Sequence, residues 1–341
     1  MHVAPVIRQY VFAQVTTTLE RMNGNVERTL SRNGIPDWRD NDGKTLVPLV
    51  HFIKALEAGS RAIGDEQFSM RVAEDHNLVH FADFGAAIRS GTTVYDAMRI
   101  SCRLISTQVP TLKFWVSKRK GGALLCRKQS VRSPGLERPL QLLERYTMLL
   151  LLNIIRTGAG AEWKPSSVYL STQSDEILGN WSEFEGADVV SEAPCSAIFV
   201  PDEILVLPVR NQPIPSSEKD AIINKQLARD ELGANFVNDI QGLTVSLLRT
   251  KSANLQVLSE VTMISKRTLQ RKLAEEGQTF QSLLDRARFD LATEILTLEG
   301  ATVADASDLT AYEHPQHFIR AFRRWTGVTP GQFQEIQASK N

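Results

Sequence analysis

The residues able to do chemistry gather in the last third of this 341-residue chain, in two copies of one short pattern. The first copy reads Ser265-Lys266-Arg267-Thr268-Leu269-Gln270-Arg271-Lys272-Leu273, and the second His314-Pro315-Gln316-His317-Phe318-Ile319-Arg320-Ala321-Phe322. A shift of 49 places Leu269 on Phe318, Arg271 on Arg320 and Leu273 on Phe322. A shift of 50 places Gly277-Gln278-Thr279 on Gly327-Val328-Thr329. Apolar residues four apart form the buried stripe of a short helix. Arg267, Gln270 and Arg271 then point away from that stripe. Arginine bonds guanine bidentately and glutamine bonds adenine, so this face suits base edges in a major groove. Lys266 and Lys272 flank it and suit phosphates. In the second copy Gln316, His317 and Arg320 take the outward face, and Arg323 and Arg324 are placed for phosphates.

The neighbouring elements must hold these helices. Leu255–Val261 has helical spacing and supports the first, which runs from Lys266 to Ala274 behind an N-cap at Ser265. Phe280–Leu298 reads as a long helix with one apolar stripe. About 20 residues at 1.5 Å each span roughly 30 Å, close to the ~34 Å of one DNA turn. That length sets two reading helices on successive major grooves. Val303–Leu309 supports the second, and Trp325 beside Gly327 packs its end.

The N-terminal ~210 residues mix helix and strand. Helical spacing covers 6–30, with a separate short helix near Val26–Ser31, then Leu46–Ser60, Val94–Ser106 and Glu137–Thr157. Thr111–Lys120 and Ala123–Gln129 read as a hairpin turning on Gly121-Gly122. Ser167–Ser171 and Ala197–Val200 read as strands. Three prolines between Pro208 and Pro215 mark a linker, and a connector or dimer-contact helix is expected over Glu218–Leu232. Three parts follow: a sensing and dimerisation domain at 1–210, a linker with connector helix at 211–234, and a DNA-binding domain at 235–341.

Composition bounds the rest. Apolar content is 42% and charged content 23%, ordinary for a soluble protein. Net charge is zero overall. Residues 235–341 hold 12 Lys+Arg against 12 Asp+Glu, so DNA affinity must come from local clustering of cations. Cys102, Cys126 and Cys195 are odd in number and widely spaced, which fits free thiols in a cytoplasmic protein. No export signal is visible, and Met148–Leu152 is far short of a membrane span. There is no Gly-rich phosphate loop, nucleophile elbow or metal-ligand cluster, which argues against an enzyme and against any cofactor or metal. His76 and His80, four apart near Asp75 and Asp83, read as ordinary polar residues rather than ligands. Trp115, Trp163, Trp181, Phe184, Arg99 and Arg103 are candidate pocket walls, with core packing the default for the aromatics.

Arg320-Ala321-Phe322-Arg323-Arg324-Trp325-Thr326-Gly327-Val328-Thr329-Pro330 closely resembles the C-terminal signature of AraC/XylS-type transcription regulators. Ser265–Leu273 resembles the family's first reading helix, and Arg288, Ala292 and Leu296 fit its linker helix. Asn23–Leu30, Gly34-Ile35-Pro36 and Trp163-Lys164-Pro165 resemble the arabinose-binding-like sensor of one branch. The resemblance implies an α+β sensor followed by an all-α domain with two helix-turn-helix units joined by a long helix. It implies a homodimer that activates or represses promoters on double-stranded DNA in response to a small molecule. It transfers a fold and not a sugar ligand. The family's usual glycine before each reading helix is replaced by Met263 and Ala311, a change of order 1 kcal/mol if the turn is left-handed. Ala306 and Ser307 weaken the apolar pattern of the second support helix. Both departures point to a second unit that binds DNA more weakly or mainly positions the protein on the backbone. They also keep open an alternative, an interaction protein with a decayed DNA reader.

Overall fold

Two stretches with helical spacing begin as strands. β1 (Val6–Arg8) and β2 (Leu46–Pro48) pair antiparallel with Ile7 opposite Val47. Three-residue strands buried on both faces show no alternation, so periodicity merges them with the helices that follow. Those helices are α1 (Gln9–Arg21), α2 (Val26–Arg32), capped by the Asn25 side chain, and α3 (Leu49–Ile63). The computed structural model describes residues 4–39, 45–75, 78, 82–131, 134–172, 181–210, 223, 236–298, 300–312 and 314–338. The chain divides into two compact units, Met1–Asn235 and Phe236–Asn341. His76, His80 and nearly all of the expected connector helix lie outside the described residues.

In the first unit α4 (Phe68–Asp75), α5 (Ala82–Arg89) and α6 (Val94–Leu104) follow. The expected hairpin forms from β3 (Leu112–Arg119) and β4 (Gly122–Gln129), but Arg119 pairs with Gly122. Its loop is therefore Lys120-Gly121, not Gly121-Gly122. Gly121 has φ +78°, which glycine adopts freely. Gly122 lies in the ladder, where a Cβ would meet the Val200 carbonyl at 2.2 Å. Then come α7 (Glu137–Ala159), β5 (Ser167–Tyr169), β6 (Asp188–Val190), β7 (Ser196–Pro201) and α8 (Asp202–Leu205). The sheet order is β3-β4-β7-β5-β6, antiparallel except for β5 with β6. β6 carries no apolar run that would mark it as a strand.

α7 is the centre of this unit. It packs on α3, α4, α6 and β7, and Met148–Leu152 is buried throughout. Ala123, Leu125 and Arg127 of β4 lie on one face with Val200, Ile198 and Ser196 opposite them. Arg127 and Glu144 of α7 are both 3% exposed, with Nη1 3.6 Å from Oε1. Burial raises the Glu144 carboxyl, but the Arg127 charge and the hydroxyls of Ser196, Thr172 and Ser171 outweigh it and hold the group below its ordinary value. Of the expected pocket walls, Phe184 is core, Trp181 lies under the Arg71 guanidinium, Trp115 is partly exposed, and Arg99 and Arg103 are exposed. Burial of Cys126 and Cys102 pushes their thiols up to about 12 and about 11.

The second unit is helical, as expected: α9 (Phe236–Arg249), α10 (Leu255–Thr262), α11 (Lys266–Glu275), α12 (Phe280–Leu296), α13 (Val303–Leu309), α14 (Pro315–Thr326) and α15 (Pro330–Ala338). No helix among the described residues is long and apolar enough to cross a membrane.

His51 of α3 accepts a bond from Trp38 Nε1 at 3.2 Å inside the first unit. Burial, helped by the Lys54 charge, lowers its imidazole from 6.5 to about 4. Below pH 6.5 the unfolded chain takes up a proton that the folded imidazole refuses until about pH 4. Stability therefore falls as pH drops through that window, by up to about 3 kcal/mol. Urea unfolding of the wild type and His51→Gln from pH 7 to 4.5 checks this, with a flatter curve expected for the variant. Parallel curves would show that His51 titrates alike in both states.

Candidate nucleic-acid interface

Each reading helix follows a support helix across a left-handed residue. α10 ends at Met263, φ +55° and ψ +27°, and α13 is followed by Ala311, also at φ +55°. Just before them Thr262 and Thr310 are buried, and each hydroxyl bonds a carbonyl four residues back, Leu258 and Ala306, at 2.6 Å. The copies match at a shift of 48 here, 49 at the N-caps Ser265 and His314, and 50 at the left-handed glycines Gly277 and Gly327. One residue is added in the second turn and one in the second reading helix. Ser265 caps α11 by accepting from Thr268 N at 3.2 Å, whereas α14 starts on Pro315 without a side-chain cap. Ala306 and Ser307, which weaken the apolar sequence pattern, are buried.

On α11, Leu269 and Leu273 are fully buried, while Lys266, Arg267, Gln270 and Arg271 are exposed. Arg271 pairs with Glu275 one turn on. Lys272, grouped from sequence with the phosphate contacts, lies on the other flank, half-buried with Nζ 4.9 Å from the Phe236 ring centre. Burial first, and the Arg271 charge second, lower its ammonium. On α14, Phe318 and Phe322 are fully buried, and Gln316, His317, Arg320, Arg323 and Arg324 are exposed. Arg324 bonds Asp285 of α12 at 3.2 Å, and the His317 ring meets His314 edge-on. Trp325 packs edge-on against Phe289 and Phe322.

α12 is shorter than its sequence pattern, 17 residues or about 25 Å. Leu298 lies beyond it and is 60% exposed. Its buried surface is also wider than one stripe. Leu284, Ala287 and Leu291 continue into Ala292, Ile295 and Leu296, which pack with Phe318 and Phe322 of the second unit and Leu248 of α9. One polar flank holds α9, through Asp290 to Gln241 at 3.2 Å and Glu294 to Arg249 at 2.9 Å. The other holds the second turn. Arg288 Nε donates to the Thr310 carbonyl at 3.1 Å and its guanidinium lies 4.4 Å over the Tyr312 ring. Spacing places Arg288 on the linker helix, but this clamp has no sequence signature because its hydrogen-bond partners are backbone carbonyls.

A family model described as the arabinose-binding domain of AraC transcription regulators, N-terminal, matches residues 24–209, and one described as a helix-turn-helix domain matches 258–336. The chain belongs to the AraC family of transcription regulators. It is similar to the HTH-type transcriptional regulator VirS of Mycobacterium tuberculosis, 24% identical over 307 residues, which cover 89% of each chain. It is 37% identical over 71 residues to the regulator VqsM of Pseudomonas aeruginosa, covering 21% of this chain and 22% of that one. The crystal structure of the transcriptional regulator CdpR from Pseudomonas aeruginosa aligns over 93% of this chain and 97% of its own, at 17% identity and a TM-score of 0.40. Relatives in this AraC family are transcription regulators and not enzymes. The usual AraC turn glycines are replaced here, yet the left-handed turns persist.

A left-handed conformation costs a side-chain-bearing residue about 1 kcal/mol. Met263→Gly is expected to stabilise the compact unit Phe236–Asn341 by up to that amount in urea unfolding followed by tryptophan fluorescence. A lowered midpoint would show that Met263 packing outweighs the strain. Arg288→Met removes a charged donor from the part-buried carbonyls of Thr310 and Ala311 and is expected to destabilise by about 1–3 kcal/mol. A midpoint within error of wild type would reject the clamp.

Proposed function

We propose that this transcription regulator reads DNA with both helix-turn-helix units and is controlled by a small molecule bound in its N-terminal part. Residues 1–210 are the sensing and dimerisation domain, 211–234 the linker and connector helix, and 235–341 the DNA-binding domain. One observation carries the reading: two helices with apolar backs and exposed cationic fronts sit on the same support, turn and linker architecture. Arg267, Gln270 and Arg271 read base edges in the first unit, with Lys266 on a phosphate. Lys272 serves mainly to seat α11 on Phe236, since its ammonium already lies on that ring. In the second unit Gln316, His317 and Arg320 face the bases and Arg323 and Arg324 the backbone. The Arg324–Asp285 pair is exposed on the arginine side, so a phosphate can replace the carboxylate at little cost. Neutral net charge is no obstacle, because phosphate affinity depends on a few local cations. The active form is a homodimer in the cytoplasm, acting as activator or repressor according to where its sites lie.

Fluorescence anisotropy tests this with the full chain and fragments from upstream of its own and neighbouring genes. One fragment should bind in preference to scrambled DNA. Arg267→Ala is expected to lose about 1–3 kcal/mol of that preference. Arg323→Ala is expected to weaken all fragments alike and reduce the salt slope by about 1. Arg320→Ala reports whether the second unit reads bases or only positions the backbone. If no fragment is preferred and every variant matches wild type, the DNA reader has decayed and the protein acts through protein partners. Sedimentation velocity at micromolar concentration tests the dimer, and a single monomeric species would reject it.

A further inference from the structure

We propose that the cavity between β4 and α7 is the effector site and that it takes a small organic carboxylate, held by Arg127 and Gln129. This rests on the reading of the N-terminal part as a sensor. The cavity has a volume of about 520 Å³, within the range of small-molecule sites. Its floor is polar, formed by Arg127, Gln129, Glu144, Ser171 and Thr172, and its walls are apolar, formed by Val131, Pro134, Leu140 and Pro194.

Two residues that line the cavity carry buried donors without a partner among the described residues. Arg127 is 3% exposed, and its Nε has no hydrogen-bond partner among the described residues. Its Nη1 is engaged by Ser196 Oγ at 3.5 Å and lies 3.6 Å from Glu144. Gln129 uses its amide oxygen to accept from the backbone N–H groups of Ser130 at 2.9 Å and Val131 at 3.3 Å. Its Nε2 is thereby fixed as a buried donor, also without a partner. The two residues are separated by one position on β4, so their side chains share a face.

Buried polar groups are normally paired, and unpaired ones point to a missing partner. The missing partner must be an acceptor. Glu144 asks for nothing more, since it already accepts from the Ser171 amide and hydroxyl, from Thr172 and from Ser196. A cation is therefore not called for. Lys128 and Glu137, which also line the cavity, cancel in charge, and the Arg127 guanidinium favours an anionic acceptor over a neutral carbonyl. The apolar walls require a carbon body and exclude inorganic phosphate as the natural occupant.

The test titrates the full chain with cyclohexanecarboxylate, using cyclohexanecarboxamide and cyclohexylmethylamine as neutral and cationic controls, by calorimetry. The carboxylate should bind at least about tenfold more tightly than either control. Gln129→Glu keeps the acceptor for Ser130 and Val131 but replaces the free donor by a like charge, and should weaken the carboxylate by about tenfold or more. Leu140→Trp fills the apolar wall and should abolish binding of the carboxylate. Circular dichroism verifies that both variants fold. No binding at millimolar concentration, equal binding of all three probes, or full affinity in Gln129→Glu would overturn the proposal. DNA preference of the wild type is measured alongside without ligand. If it is retained while the carboxylate preference fails, only this site is rejected. If it is absent, the regulator reading fails whatever the cavity binds.

Discussion

The DNA-reading unit depends on one helix with too much apolar surface to serve a single neighbour. Leu284, Ala287 and Leu291 of α12 form an ordinary stripe, but Ala292, Ile295 and Leu296 extend it round the helix. Water is excluded only if elements pack on both sides. The hydrophobic term that brings them there is non-directional, so it does not set their orientation. The polar flanks do: Asp290 and Glu294 bind α9, while Arg288 binds the second turn. Directional bonds at the edges of an apolar contact thus convert burial into a defined geometry between two reading helices.

That geometry explains why the turns survive without glycine. Each turn places a reading helix against its support, and burial of Leu269 and Leu273, or of Phe318 and Phe322, depends on it. A strained residue persists where its surroundings over-determine it. Thr262 and Thr310 fasten the support-helix ends, and in the second copy Arg288 takes up the freed carbonyls. The second unit has lost its glycine and lacks a side-chain N-cap, but the linker clamp compensates locally. Its buried backs and exposed cationic face are as complete as those of the first.

The N-terminal unit follows a different principle. α7 is surrounded by helices and by the sheet, and most of that contact is apolar. Into it the fold places Arg127 and Glu144, charges whose desolvation is costly unless fully bonded. Glu144 is fully bonded and Arg127 is not. An arrangement that satisfies the acid and leaves the base with a free donor beside a cavity is ill-suited to stability alone and well-suited to a ligand.

By itself the sequence determined the helix-turn-helix duplication, the outward placement of Arg267, Gln270, Gln316 and Arg320, the Ser265 cap and the hairpin near Gly121. These are local properties, set by periodicity, capping and glycine chemistry within a few residues. Tertiary structure decided the rest. β1 and β2 became strands because each supplied the other's backbone bonds from 40 residues away. The Lys272 ammonium gained a ring partner because Phe236, distant in sequence, lies beside it. Arg288 gained its role from carbonyls, which no side-chain pattern reports. The cavity residues come from β4, α7 and the segments around β5 and β7, and none of them was singled out by spacing. Contacts between residues far apart in sequence leave no period in the chain, so only the folded molecule displays them.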